Sequence, residues 1–428
     1  MLIQFTVGNF RSFRENVTLS LVASDAIKHE PGQVIDGPGG LKVLRCAAMY
    51  GANASGKSNL VFALGWLLRT CLRGRKPDSE PFSEWFALDP ALAQKPSHFE
   101  LVVGTEQRRY EYGLEIGSTV EAEWLYVIED GKERALFERQ GPAPTDTSGL
   151  SQDPSRNEFL RFVAQGTRPE QVFLAEARER NVAELNEVVE LLRTLKPVNA
   201  GGRLVDPLKF VEAGPVEQQL LTDLLRDAGT GITGLEVLSN EVVDDADDFP
   251  DEGIFDRLNQ MHATRKDNKR FDVRVLMAQR QNVLGEPVQF AWNLESEGTR
   301  RLAELAELAR STRKAFIIDE LERSMHPVLV RRLLQRFVDL GAQGVKSQLI
   351  FTTHDTNLLE RAPFGADSTW FMEKQVDGSS RLYSLAEFKP EQLEQLKGRI
   401  DDGYLEGRFG ALPQPALRLI STTRRHGS

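Results

Sequence analysis

Eight consecutive residues, Gly51-Ala52-Asn53-Ala54-Ser55-Gly56-Lys57-Ser58, fit the pattern G-x-x-x-x-G-K-[ST]. Glycines let a backbone turn wrap phosphate oxygens, amides at a helix N-terminus supply positive potential, the lysine reaches outer phosphates, and the serine can ligate magnesium. Gly51, Asn53, Ser55, Gly56, Lys57, Ser58 and the adjoining Asn59 are therefore candidate phosphate contacts, and Ser58 is also a candidate metal ligand. The flanks suit the motif. Residues 43–50 form a compact, mostly apolar run, and 60–68 continue at helical spacing, which predicts strand, loop and helix in that order.

A second constellation lies far along the chain. Residues 315–318 (AFII) predict a short buried strand that delivers Asp319 and Glu320 at its C-terminal end, where ligands of open α/β sheets collect. Asp319 would hold magnesium directly or through water, and Glu320 would orient or deprotonate a water attacking a γ-phosphate. The plain alternative is a strand running into a charged surface turn. Residues 348–352 predict another apolar strand, leading to His354, which alone would read as a capping or packing residue. Its place at a strand end after the acid pair makes it a candidate catalytic group.

Between the two constellations stands Asn293-Leu294-Glu295-Ser296-Glu297-Gly298-Thr299. This order of elements resembles the ABC ATPase superfamily, in its soluble branch with SMC and OLD-type proteins. Ser296 and Gly298 look like the serine and second glycine of that family's signature, and Glu297 replaces its first glycine. More closely, Gly8-Asn9-Phe10-Arg11-Ser12-Phe13, the strings YGANASGKSNL and ESEGTRRL, and Tyr404-Leu405-Glu406-Gly407-Arg408-Phe409-Gly410 look like the stand-alone "AAA family" ATPases often paired with an RloB-like protein in phage defence. That likeness spans nearly the whole chain and is strongest at its two ends.

The resemblance implies an α/β ABC-type ATPase head, a P-loop NTPase, with an N-terminal antiparallel β subdomain and an inserted helical region. It implies ATP and Mg2+ as ligands and an ATP-dependent homodimer or higher oligomer. Each signature segment would cap the nucleotide held by the other head, with Ser296, the Gly298 amide and a helix beginning near Thr299 aimed at the γ-phosphate. It further implies an effector partner such as an RloB-like nuclease, and makes Arg11 a nucleotide contact, against the equal alternative of a surface arginine in a turn. Two departures stand out. Gln94 is a weak match to the family's Q-loop, and the segment 322–327 matches its D-loop only through Ser324.

The remaining sequence sets bounds on these expectations. A 428-residue chain is long for one compact core. The divisions expected are 1–140, an N-terminal ATPase lobe; 141–285, a mainly helical insertion; and 286–428, a C-terminal lobe. Antiparallel strands are predicted over 2–7, 17–21, 99–103, 110–116 and 124–128, and helices near 185–192 and 216–229. The carboxylate-rich stretch 244–252 reads as a solvated loop without a calcium-loop pattern.

A formal net charge of -10 makes any DNA contact local rather than general. The basic clusters 69–76 and 331–336 read as solvated helix faces or ends, with DNA or partner docking as the sharper alternative. Cys46 and Cys71 suggest neither a disulfide framework nor a zinc site. With no basic leader and no apolar run of membrane-spanning length, the protein is predicted to be cytoplasmic. About seventy residues follow His354, too few for an appended Toprim nuclease domain. The functional expectation is a nucleotide-driven switch acting on an effector in antiviral defence. The alternative is a DNA-binding head of repair or chromosome type, with a transporter subunit third.

Overall fold

The computed structural model describes residues 1–76, 82, 84–243, 263–265, 270–310, 313–356, 358–359 and 365–388. The acidic stretch 244–252 and the motif at 404–410 lie outside them.

The chain opens with strands β1 (Leu2–Gly8), β2 (Val17–Ser20), β3 (Val34–Asp36), β4 (Lys42–Leu44) and β5 (Cys46–Tyr50), then helix α1 (Lys57–Arg73). Four long strands follow: β6 (Ser97–Gly104), β7 (Arg108–Ile116), β8 (Val120–Glu129) and β9 (Lys132–Gln140). β1 and β2 join them in one antiparallel sheet of order β2-β1-β6-β7-β8-β9. Apolar residues recur at every second position of β1, so Phe5 and Val7 are buried on one face, as the period of a pleated strand requires.

The middle of the chain carries α2 (Pro154–Gly166), α3 (Phe173–Glu179), α4 (Asn186–Thr194), β10 (Leu195–Val198), α5 (Pro207–Glu212), α6 (Pro215–Asp227), β11 (Gly234–Val243), β12 (Ala263–Arg265) and β13 (Arg270–Gln281). Helices occupy its first part, as the spacing suggested. Its last part is antiparallel sheet, with ten residues of β11 in register with β13. In addition, β10 leaves this stretch and pairs in parallel with a core strand. Its Pro197 is tolerated because β10 lies at the edge of the core sheet.

The closing elements are β14 (Pro287–Ala291), α7 (Glu297–Glu304), β15 (Ala315–Ile318), α8 (Pro327–Ala342), β16 (Gln348–Thr352), β17 (Thr369–Lys374) and β18 (Ser380–Ser384). The core sheet has the order β10-β15-β16-β5-β17-β18, parallel throughout except for β18. Both of its faces are covered. Ala47, Met49, Ala315, Ile317, Ile350 and Met372 point into a core shared with α1 and the antiparallel sheet. Cys46, Ala48, Tyr50, Phe316, Ile318 and Phe351 point into another, filled by α5, α6, α7 and α8. Continuous burial on both faces explains why these strands read as unbroken apolar runs rather than alternating ones.

Arg45 locks this layer in place. It is 1% exposed, and its guanidinium donates to the carbonyls of Ser347 (3.0 Å), Gly32 (2.6 Å) and Phe337 (3.2 Å) while lying over the Phe337 ring. One side chain thus ties the residue before β5 to α8 and to the entry of β16. Arg45→Met should destabilise the fold by roughly 3 kcal/mol in urea unfolding, because the buried carbonyls of Ser347 and Phe337 and the half-buried one of Gly32 lose their donor. An unchanged unfolding midpoint would contradict this role.

Candidate functional site

Strands β5, β16 and β15 are parallel neighbours, so their C-terminal ends lie on one edge of the sheet. The glycine-rich loop follows β5, Asp319 follows β15, and His354 follows β16 by two residues. Loci separated by some three hundred residues of sequence therefore converge.

The loop itself is closely walled. Gly51 (φ +156) and Gly56 (φ +114) adopt backbone conformations that side-chain-bearing residues rarely reach. A Cβ at Gly51 would collide with the Met372 carbonyl, and one at Gly56 with the hydroxyls of Ser380 and Ser12. Ser380 supports the loop from β18, its hydroxyl donating to the Ser55 carbonyl at 2.5 Å and its amide to the Ser12 carbonyl at 2.7 Å. Asn59 donates to the Ser12 hydroxyl at 2.8 Å, so its amide side chain braces the N-terminal turn. Asn53 and Ser58 are exposed.

Lys57 is the first residue of α1 and 5% exposed. Its ammonium donates to the carbonyls of Gly51 (2.6 Å) and Ala52 (3.0 Å), folding back onto its own loop. Burial lowers its pKa to about 8, against the opposing pull of Asp319, Glu322 and Glu320. The Ser55 hydroxyl is buried without a partner. An orphaned hydroxyl, a half-satisfied ammonium and helix-terminal amides suit the oxygens of a phosphate chain.

Asp319 is 2% exposed, and its Oδ1 accepts the Thr352 hydroxyl at 2.6 Å. Glu320 follows in the left-handed region at φ +52, its amide donating to the same hydroxyl at 2.7 Å. Glu322 accepts the His354 amide at 2.5 Å, and its other oxygen is buried without a partner. The His354 ring reaches solvent, and its pKa is lowered by partial burial and then by Lys57, against Glu322, Glu320 and Asp319. Lys57, Asp319, Glu320, Glu322 and His354 thus form one electrostatic cluster. Among the described residues no group of three His, Cys, Asp or Glu side chains forms a metal cage. Magnesium retains water and takes phosphate oxygens, so a site for it needs only one or two protein ligands rather than a cage.

Other candidates have different surroundings. Arg11 (φ +48) donates through Nε to Glu84 at 2.7 Å and lies over the Phe62 ring of α1. Ser296 is the N-cap of α7, its hydroxyl accepting the Thr299 amide at 3.1 Å. The helix therefore begins at Glu297, two residues earlier than expected. Arg280 grips the Glu295 carboxylate with both Nη groups, fixing the approach to α7. Gly298 packs so closely on the Ser324 carbonyl that a Cβ would lie 2.7 Å from it, which brings the signature-like and D-loop-like segments together. Gln94 is exposed in a turn before β6.

Sequence reasoning missed Ser12, Glu322, Thr352 and Ser380. Only Glu322 carried a signal, as a third acid within four residues.

No helix among the described residues is long and apolar enough to cross a membrane. No curated protein matches the chain. Solved structures that resemble it include an SMC head bound to the C-winged helix domain of ScpA (13% identity, 92% of this chain and 99% of that one, TM-score 0.44). Another is the SMC head domain from Thermotoga maritima (14% identity, 90% and 98%, TM-score 0.41). A third is an Smc head with an extended coiled coil bound to the C-terminal domain of ScpA, from Pyrococcus furiosus (12% identity, 93% and 99%, TM-score 0.40). These values are too low to carry a statement about ligands or partners. Residues 46–360, which span the loop, the signature-like segment, the acid pair and His354, match the family model described as "AAA domain, putative AbiEii toxin, Type IV TA system". The chain belongs to this AAA-domain family.

Proposed function

We propose that the protein is an ATP-hydrolysing switch whose two copies close around ATP and control an effector protein in antiviral defence. The observation that carries the ATPase part is the convergence of Lys57, Asp319, Glu320 and His354 at one edge of the core sheet, beside an orphaned Ser55 hydroxyl. The loop amides and Lys57 hold the phosphates of ATP, aided by Gly51, Asn53, Ser55, Gly56 and Asn59. Ser58 and Asp319 hold Mg2+, which neutralises phosphate charge and orients the outer phosphoryl group when bound. Glu320 orients the attacking water and takes its proton, while His354 lies against the same phosphate end. Ser296, Glu297 and Gly298 form the cap offered to the other copy's nucleotide.

The Ser296 geometry supports that cap, since an exposed N-cap serine and the first-turn amides of α7 make a site for phosphate oxygen. Effector control, with an RloB-like nuclease as candidate partner, rests on the likeness noted from sequence. A DNA-binding head is the second reading, and strong ATP-dependent DNA binding by the chain alone would favour it. Arg11 keeps N–H donors beyond the Nε and Nη2 groups that Glu84 engages, and these would be its contact with nucleotide.

Glu320→Gln should lower ATP turnover at least about a hundredfold while ATP binding persists. Turnover at the normal rate would refute the assigned role. The Lys57 pKa supplies a second test. Phosphate favours the ammonium form, which predominates in the free protein below about pH 8 and is progressively lost above it. ATP binding above pH 8 must therefore take up a proton. Apparent affinity should weaken as pH rises from 8 to 9.5, by up to about tenfold per unit. A constant dissociation constant across that interval would contradict a Lys57 ammonium that is destabilised by burial in the free protein and restored by phosphate.

A further inference from the structure

Thr352 ends β16 and is fully buried. Its hydroxyl is shared between two groups at the exit of β15. The Glu320 amide can only donate, so the hydroxyl accepts there, at 2.7 Å. Its single proton then goes to Asp319 Oδ1, at 2.6 Å. The Thr352 main chain serves the same turn, its carbonyl accepting the Leu321 amide at 3.2 Å. From the other side, the Asp319 amide donates to the Val198 carbonyl at 2.9 Å.

Two consequences follow from this geometry. The Asp319 carboxylate has one oxygen committed to Thr352, which leaves Oδ2 as the oxygen to turn toward a cation or its water. Glu320 departs from a left-handed backbone that an ordinary side chain adopts only when its surroundings impose it. The hydroxyl bond to its amide is such an imposition. This hydroxyl joins the two adjacent acids of the site.

We propose that Thr352 is the positioning residue of the hydrolytic centre. Its hydroxyl selects the Asp319 oxygen that meets Mg2+ and holds the backbone from which Glu320 reaches the attacking water. This inference rests on the ATPase reading given above. It places the control of two carboxylates on a residue from a different strand.

The test compares Thr352→Val, which keeps the shape and loses the hydroxyl, with Thr352→Ser, which keeps the hydroxyl and loses a methyl. For each full-length variant the urea midpoint, ATP affinity in EDTA, ATP affinity in Mg2+, and turnover are measured beside wild type and Glu320→Gln. Thr352→Ser should keep turnover within about threefold of wild type. Thr352→Val should bind ATP in EDTA as wild type does, lose most of the affinity gained from Mg2+, and turn over about ten to a hundredfold more slowly. If Thr352→Val does not fold, Thr352→Ala takes its place with the same expectation.

A folded Thr352→Val that keeps both the Mg2+ gain and turnover would overturn the proposal. Equal losses in Thr352→Ser and Thr352→Val would do the same, since a variant that keeps the hydroxyl would then fare no better than one that lacks it. If wild type and Glu320→Gln are equally inactive, the ATPase reading fails. The Mg2+ gain in affinity then still decides the position of Asp319, and its retention in Thr352→Val overturns the inference independently.

Discussion

Burial of the core sheet on both faces governs the rest of this molecule. Strands β15, β16 and β5 run between two apolar cores, where a polar side chain needs a partner such as the Leu2 and Leu44 main chain that Gln348 finds at the start of β16. Polar groups must gather where these strands end, and parallel pairing puts three such ends together. The glycine-rich loop, the acid pair and His354 are thus neighbours because of how the sheet is covered. The antiparallel sheet and α1 close one face, and α5 to α8 close the other.

Electrostatics at that edge are balanced rather than maximised. Burial pushes Lys57 toward neutrality, and three carboxylates pull it back. Two carbonyls of the loop occupy its ammonium. The same acids raise the His354 pKa while burial and Lys57 lower it. A phosphate would offer the Lys57 ammonium an ion pair in place of its bonds to neutral carbonyls. The walls around Gly51 and Gly56 limit what else the loop can accommodate.

Much of this was readable from the residues. The phosphate loop and the strands at 315–318 and 348–352 announce themselves through local composition, and the antiparallel strands through alternation. What stayed hidden depends on distant pairing. β10 is four residues long, contains proline and emerges directly from α4, so no periodicity marks it. β13 is twelve residues long, but its pattern is half-exposed and charged, and it draws its place from β11 and β14. Ser12 and Ser380 meet across 368 positions through β18, and Thr352 looks like any β-branched residue in a strand. Hydrogen bonds between strand ends leave no local trace.

The signature-like segment is where single-chain structure and the proposed mechanism must meet a second molecule. Ser296 and Gly298 are held by Thr299 and Ser324 of their own chain, with the α7 N-terminus presented outward. The most direct test is the native mass of the 48.0 kDa chain, measured with and without ATP in the hydrolysis-deficient Glu320→Gln background. The account predicts that ATP brings chains together in pairs, with one nucleotide retained per chain. An assembly state indifferent to ATP, with nucleotide bound, would contradict the shared site.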